Sequence, residues 1–187
     1  NKFEEFEVEQ TYLATHRANE RCRIRRRQQG ANVSFQHQLW VTEEKEGLGA
    51  ETTMMERTLS AREYFIMLKQ ADPTRCTVCK TLTCFTWGST YWELNSFKGD
   101  GHVAILEVEA ESMSSWISMP DFVGVEREVS DETSYDSYLL AEELAKSVDL
   151  EAARRGKDGE GNGEARKEAA VERKITEVLT TLERTSS

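Results

Sequence analysis

The chain has 187 residues, of which 38% are hydrophobic, and a formal net charge of -10. This length and composition predict one folded domain with an appendage, and they exclude a wholly disordered chain. No apolar run is long enough to cross a bilayer, and the net acidity argues against duplex nucleic acid as a partner. Four cysteines among so many charges indicate reduced thiols, so we expect a cytoplasmic protein. The abrupt start of the pattern at Asn1 suggests a piece of a longer protein.

The first predicted elements are strands with charged faces. Residues 3–13 alternate, so that three carboxylates share one face of a strand, namely Glu5, Glu7 and Glu9. In residues 20–27 arginine recurs at every second position, namely Arg21, Arg23, Arg25 and Arg27. Two further strands are predicted over 33–41 and 53–59, with a polar loop at 43–51 between them.

A helix and a second set of strands follow. Ser60 and Glu63 have the spacing of a capping box, which predicts a helix from Ser60 to about Ala71. Strands are predicted over 76–86, 90–97 and 102–111, and a short helix over 134–146. We expect residues 113–122 to cross an open end or to pack outside. The fold class is therefore mainly β (α+β), an antiparallel closed or nearly closed β-barrel with a few helices outside.

The chain changes character after residue 146. Four glycines among charges predict a flexible linker over 147–163. An apolar stripe at helical spacing then predicts an amphipathic helix within 164–187, which could dock on the domain, bind a partner or stay disordered. The predicted organisation is a barrel over 1–146, this linker and this helix.

The charged strand faces carry the functional hypothesis. The first carboxylate row has a counterpart late in the chain, at Glu107, Glu109 and Glu111. A row of carboxylates repels itself unless cations lie opposite, and the arginine row supplies such cations. These rows sharing one interior would form a hydrophilic tunnel, in which arginine suits phosphate and carboxylates suit Mg²⁺ or Mn²⁺. The alternative is that the charged faces simply meet water.

The ordered set of motifs resembles a known family, the CYTH superfamily of triphosphate tunnel metalloenzymes. The similar stretches cover about residues 3–145, and in chain order they are Glu7-Val8-Glu9, Arg21-Cys22-Arg23-Ile24-Arg25, Glu56-Arg57-Thr58-Leu59-Ser60, Tyr91-Trp92-Glu93-Leu94-Asn95 and Leu106-Glu107-Val108-Glu109. The chain looks most like the CYTH half of eukaryotic ATPase–CYTH proteins, the class of the TRPL translocation defect protein. This resemblance implies an ATPase-like domain before the barrel and a membrane phosphoinositide contact.

The resemblance also implies roles for individual residues. The metal ligands for Mg²⁺ or Mn²⁺ would be Glu7, Glu9, Glu107 and Glu109. The phosphate-binding residues would be Arg21, Arg23, Arg25 and Lys80. Further tunnel residues would be Glu56, Glu93 and Asn95, and no catalytic residue is assigned.

Departures from the family pattern decide between the functions that the resemblance implies. Thr11 occupies the position of the signature lysine, Leu82 that of an arginine, and Asn95 that of an aspartate. Loss of a positioned cation costs several kcal/mol in a reaction barrier, which favours binding over hydrolysis. We therefore expect a regulatory, catalytically weak module that binds a phosphorylated small molecule, either a nucleoside triphosphate such as GTP or a phosphoinositide headgroup. The alternatives are a Mg²⁺-dependent triphosphatase and a β-domain for protein contact.

Overall fold

The computed structural model describes residues 3–45, 47, 49–97, 104–110 and 117–155. Seven strands form one antiparallel sheet in the order β4-β3-β2-β1-β5-β6-β7. The strands are β1 (Phe3–Leu13), β2 (Glu20–Gln29), β3 (Asn32–Lys45), β4 (Gly49–Leu59), β5 (Val78–Trp87), β6 (Thr90–Phe97) and β7 (Ala104–Val108). Two helices accompany them, α1 (Ala61–Leu68) and α2 (Ser137–Arg155). The predicted antiparallel β fold with few helices is confirmed.

The sheet is curled, and its two edge strands are β4 and β7. Arg25 on β2 lies within electrostatic reach of both Glu56 on β4 and Glu93 on β6, although β1 and β5 separate β2 from β6 in the sheet. Side chains from distant strands converge in this way only on the inside of a curved sheet. Within the described residues β4 and β7 do not pair, so the molecule is a half-barrel with one concave and one convex face.

Cross-strand register assigns each residue to a face, because directly paired residues point to the same side. Tyr12 pairs with Arg23, which pairs with Gln38, and Glu9 pairs with Arg26 one step along. The concave face carries Val8, Gln10, Tyr12, Arg21, Arg23, Arg25, Arg27, Gln36, Gln38, Glu56, Lys80, Glu93, Asn95, Phe97 and Glu107. The convex face carries Glu7, Glu9, Thr11, Leu13, Cys22, Ile24, Arg26, Phe35, Leu59 and Cys79.

Helix α1 covers the convex face and begins as the sequence predicts. The Ser60 hydroxyl accepts from the backbone N–H of Glu63, and the Glu63 carboxylate accepts from the Ser60 backbone N–H at 2.8 Å. Tyr64 on this helix packs into a buried cluster with Leu13, Ile24 and Leu59. Fully burying one such side chain contributes about 1.5–3 kcal/mol, so this cluster anchors the helix to the sheet.

Helix α2 packs against one end of the concave face. Leu140 and Leu144 lie in a buried cluster with Tyr12 and Val78, and the backbone N–H of Cys76 donates to the carbonyl of Ala141 at 3.0 Å. The helix continues to Arg155, past the predicted end at residue 146, so the first part of the predicted linker is helical. The remainder of that linker and the predicted helix within 164–187 lie outside the described residues, and the domain division stays a prediction. No helix in the described ranges has the length and apolarity to cross a membrane.

Two predicted loops turn out differently. Strands β3 and β4 run on to Lys45 and from Gly49, so most of the loop predicted at 43–51 belongs to a long hairpin. Its β-branched pair Thr42 and Thr52, joined at 2.9 Å, extends the strand pairing. Within the segment predicted at 113–122, the Phe122 ring packs against Phe85 and Trp87 on the outside of the sheet.

Candidate phosphate-binding face

The arginine row lies along the concave face because β2 alternates with a period of two. Arg23 is held firmly: its Nε donates to Gln38 Oε1 at 2.6 Å and its Nη1 to Gln10 Oε1 at 2.9 Å. Its guanidinium carbon also lies 4.7 Å from the centroid of the Trp40 ring. These contacts fix the guanidinium plane, which preorganises it for an anion.

Arg25 and Arg27 are less satisfied. The Nε atoms of both are buried and have no hydrogen-bond partner among the described residues, and neither side chain forms an ion pair with a described carboxylate. Burial and the neighbouring guanidinium groups of Arg23 and Arg27 lower the pKa of Arg25 to about 10. The opposing effect of Glu93 and Glu56 is smaller, so positive charge dominates around Arg25.

Lys80 adds a buried cation from β5. Its side chain is 4% exposed, and its Nζ lies 5.8 Å from the centroid of the Phe97 ring. Burial lowers the pKa of Lys80 to about 8, and Glu107 only partly opposes this effect. A lysine in this state is costly to keep charged, and an anion close to its Nζ would offset that cost.

The carboxylates of the concave face lie toward the edge strands. Glu56 on β4 accepts hydrogen bonds from Gln36 and Gln38. Glu93 on β6 pairs directly with Glu107 on β7, so two carboxylates lie side by side near Lys80. The predicted tunnel residue Asn95 is 1% exposed and lies between Leu82 and Ile105.

The prediction that both carboxylate rows share the arginine interior is wrong for the first row. Glu7 and Glu9 lie on the convex face, and Arg26 Nη1 donates to Glu9 Oε1 at 2.8 Å. The reason is that residues 10–13 of β1 are buried on both faces, so alternation alone does not show which face turns inward. Packing of Leu13 beneath α1 settles the choice and carries Glu7 and Glu9 outward.

The four predicted metal ligands therefore do not form one site. Glu7 and Glu9 are convex, Glu107 is concave and exposed, and Glu109 is exposed just beyond the end of β7. Among the described residues no three His, Cys, Asp or Glu side chains come close enough to hold a metal ion. Thr11, at the signature-lysine position, is also convex, and its hydroxyl lies 2.8 Å from that of Thr77.

Arg21 differs from the other predicted phosphate ligands because the C-terminal region already contacts it. Its Nη1 donates to Asp136 Oδ2 at 2.8 Å, and its guanidinium carbon lies 4.7 Å from the centroid of the Tyr138 ring. The structure thus brings Arg23, Arg25 and Lys80 together and leaves Arg21 at the covered end. Arg27 and Gln36 belong to the same face, and the period-two pattern that selected Arg25 could have identified them.

Comparison with known proteins gives only remote similarities. No family model and no curated protein matches the chain. Two solved structures, of the hypothetical protein NE1496 and of the inorganic triphosphatase NE1496, are each 21% identical and are matched over 76% of this chain and 88% of theirs. Their TM-scores are 0.47 and 0.46, so the functional argument rests on the residues described above.

Proposed function

We propose that the concave face binds a phosphate-chain ligand and that the chain acts as a binding module. One observation carries the proposal: Arg25 and Lys80 are cations removed from water, and neither forms an ion pair with a described carboxylate. An uncompensated buried charge costs several kcal/mol, so a face that retains several cations needs an anionic partner. Arginine forks match phosphate oxygens in pairs, and a phosphate chain spans several such cations at once.

The finer identity of the ligand is also a proposal. A nucleoside triphosphate such as GTP and a phosphoinositide headgroup both supply clustered phosphate, and the resemblance to two-domain ATPase–CYTH proteins favours these two. Weak catalysis follows from Thr11, which supplies no cation and lies on the convex face. A regulatory role within a longer protein is consistent with binding that does not lead to hydrolysis.

Mg²⁺ or Mn²⁺ would enter with the ligand. Mg²⁺ in proteins is commonly held by one or two carboxylates together with substrate phosphates, and a cage made only of protein ligands is not required. Glu93 and Glu107 are the adjacent carboxylates of the concave face, so they are the residues best placed for this role. We derive no catalytic step through the metal, because the predicted four-glutamate set does not come together.

The test compares two arginines that are neighbours in sequence and lie on opposite faces. Tripolyphosphate is titrated into wild type, Arg25→Gln and Arg26→Gln by calorimetry, with and without Mg²⁺, while released phosphate is followed. A hydrogen bond to a charged group contributes about 1.5–3 kcal/mol, so Arg25→Gln should weaken binding about 10- to 100-fold. Arg26→Gln should bind as wild type does, because Arg26 lies on the convex face beside Glu9.

The other outcomes point to the alternative functions. Phosphate release that requires Mg²⁺ and is lost in Glu107→Gln would make the chain a triphosphatase. Equal affinity in all three proteins would remove the concave face as the binding site. No binding by wild type would leave a β-domain for protein contact.

A further inference from the structure

A pair of unsatisfied amides on the concave face has a chemistry that phosphate alone does not match. Asn95 is 1% exposed, and neither its Oδ1 nor its Nδ2 has a hydrogen-bond partner among the described residues. Gln36, on the other side of the groove, donates from Nε2 to Glu56 Oε1 at 3.1 Å, while its own buried Oε1 has no partner there. Both amides therefore present an unsatisfied acceptor oxygen.

An ionised phosphate cannot satisfy an acceptor, because its oxygens only accept hydrogen bonds. A hydroxyl group can donate to one amide oxygen and accept from an amide N–H at the same time. Exchanging the O and N positions of the Asn95 amide changes nothing, since both atoms lack partners. A buried amide with no partner costs about 1–3 kcal/mol, which a bound hydroxyl would recover.

The position of Asn95 relative to the cations fits a ligand that carries both groups. Lys80 pairs with Phe97 on β6, and Asn95 is the next residue of that strand on the same face. Such diagonal neighbours lie about 7–8 Å apart, roughly the span between a phosphate and a hydroxyl a few bonds away. The apolar neighbours Leu82 and Ile105 exclude water from the amide, so the hydrogen bond would be selective.

We propose that Asn95 reads a free hydroxyl on the carbon framework of the ligand, so that the site prefers phosphate esters of a sugar or polyol over bare polyphosphate. The proposal rests on the function proposed above and adds the ligand class to it. The hydroxyl could belong to the ribose of a nucleoside triphosphate or to an inositol phosphate headgroup. Both sources share the same chemistry.

The experiment is a thermodynamic cycle on the full chain, with Asn95→Leu, which keeps the shape but removes both polar atoms. Calorimetry compares GTP, 2′,3′-dideoxy-GTP, inositol 1,4,5-trisphosphate and tripolyphosphate. If the hydroxyl is that of ribose, wild type should prefer GTP to its dideoxy analogue by about 3- to 10-fold, and Asn95→Leu should lose this preference. If it is that of a polyol, Asn95→Leu should lower only inositol trisphosphate affinity, by the same factor.

Tripolyphosphate serves as the internal standard for folding and for the cationic part of the site. Its affinity should be unchanged in Asn95→Leu, and Ser96→Ala, the next residue on the opposite face, should change none of the four affinities. If Asn95→Leu does not fold, Asn95→Ala takes its place. Unchanged affinities throughout, or an equal loss for all four ligands, would overturn the role of Asn95. Failure of all four to bind wild type would overturn the proposed function itself.

Discussion

The two faces of strand β2 use neighbouring residues for opposite purposes. Ile24 on the convex face is fully buried in an apolar cluster, and Arg26 beside it is paired with Glu9. Arg25 and Arg27 on the concave face have buried nitrogen atoms that no described residue satisfies. Convex groups are satisfied within the fold, and concave groups are left for something outside it. Stability and binding are therefore separated by the alternation of one strand.

The largest expected effect concerns stability and tests this separation directly. Ile24→Ala removes a fully buried side chain beneath α1 and should lower the free energy of unfolding by about 2–5 kcal/mol. Arg25→Leu should leave it unchanged or raise it without ligand, because it removes an uncompensated charge. Urea denaturation of the two variants measures both. A loss in Arg25→Leu as large as that in Ile24→Ala would show that the concave arginines support the fold.

An intermediate effect is expected from pH, through Lys80. Its pKa is lowered from 10.5 to about 8, so the folded protein loses this charge at a lower pH than the unfolded chain does. Tripolyphosphate affinity should therefore fall as pH rises above about 8, although the bound anion shifts the fall upward. Over pH 8 to 10.5 the unfolded state binds more protons, so the ligand-free protein should gain stability with rising pH.

The variant Lys80→Met separates this effect from other titrations. It should bind tripolyphosphate about 10- to 100-fold more weakly at pH 7 and lose the affinity change just above pH 8. Lys69→Met, at the exposed end of α1, is the matched control and should keep both the affinity and its pH dependence. A wild-type affinity that stays constant from pH 7 to 9.5 would exclude Lys80 from the site.

The smallest effect is expected where the arginine row is already satisfied. Arg21 and Asp136 are about half exposed, and such ion pairs contribute about 0–1 kcal/mol. Asp136→Asn should therefore change the free energy of unfolding by less than about 1 kcal/mol. Tripolyphosphate affinity should rise slightly as Arg21 is released. A loss of affinity would instead place Asp136 among the binding groups.

The sequence predicted the strands and the capped helix well, because both depend on local patterns. Ser60 and Glu63 determine the start of α1, and period-two alternation identifies β2 and its arginine face. The inward face of β1 was not predictable, since Tyr12 and Leu13 are buried on opposite sides and only tertiary packing distinguishes them. The predicted four-glutamate metal site failed for that reason, whereas Lys80, also selected from the sequence, lies on the concave face. Its ligand role stays a prediction.

The alternation of β2 also has an evolutionary consequence. Since side chains change face at every residue, inserting or deleting one residue within 21–27 would send the arginines beyond that point to the convex side and the apolar residues to the groove. A substitution, by contrast, alters one position and leaves the others in place. This segment should therefore drift among descendants by replacement while keeping its length, and insertion scanning should find it far less tolerant than the hairpin tip between Lys45 and Gly49.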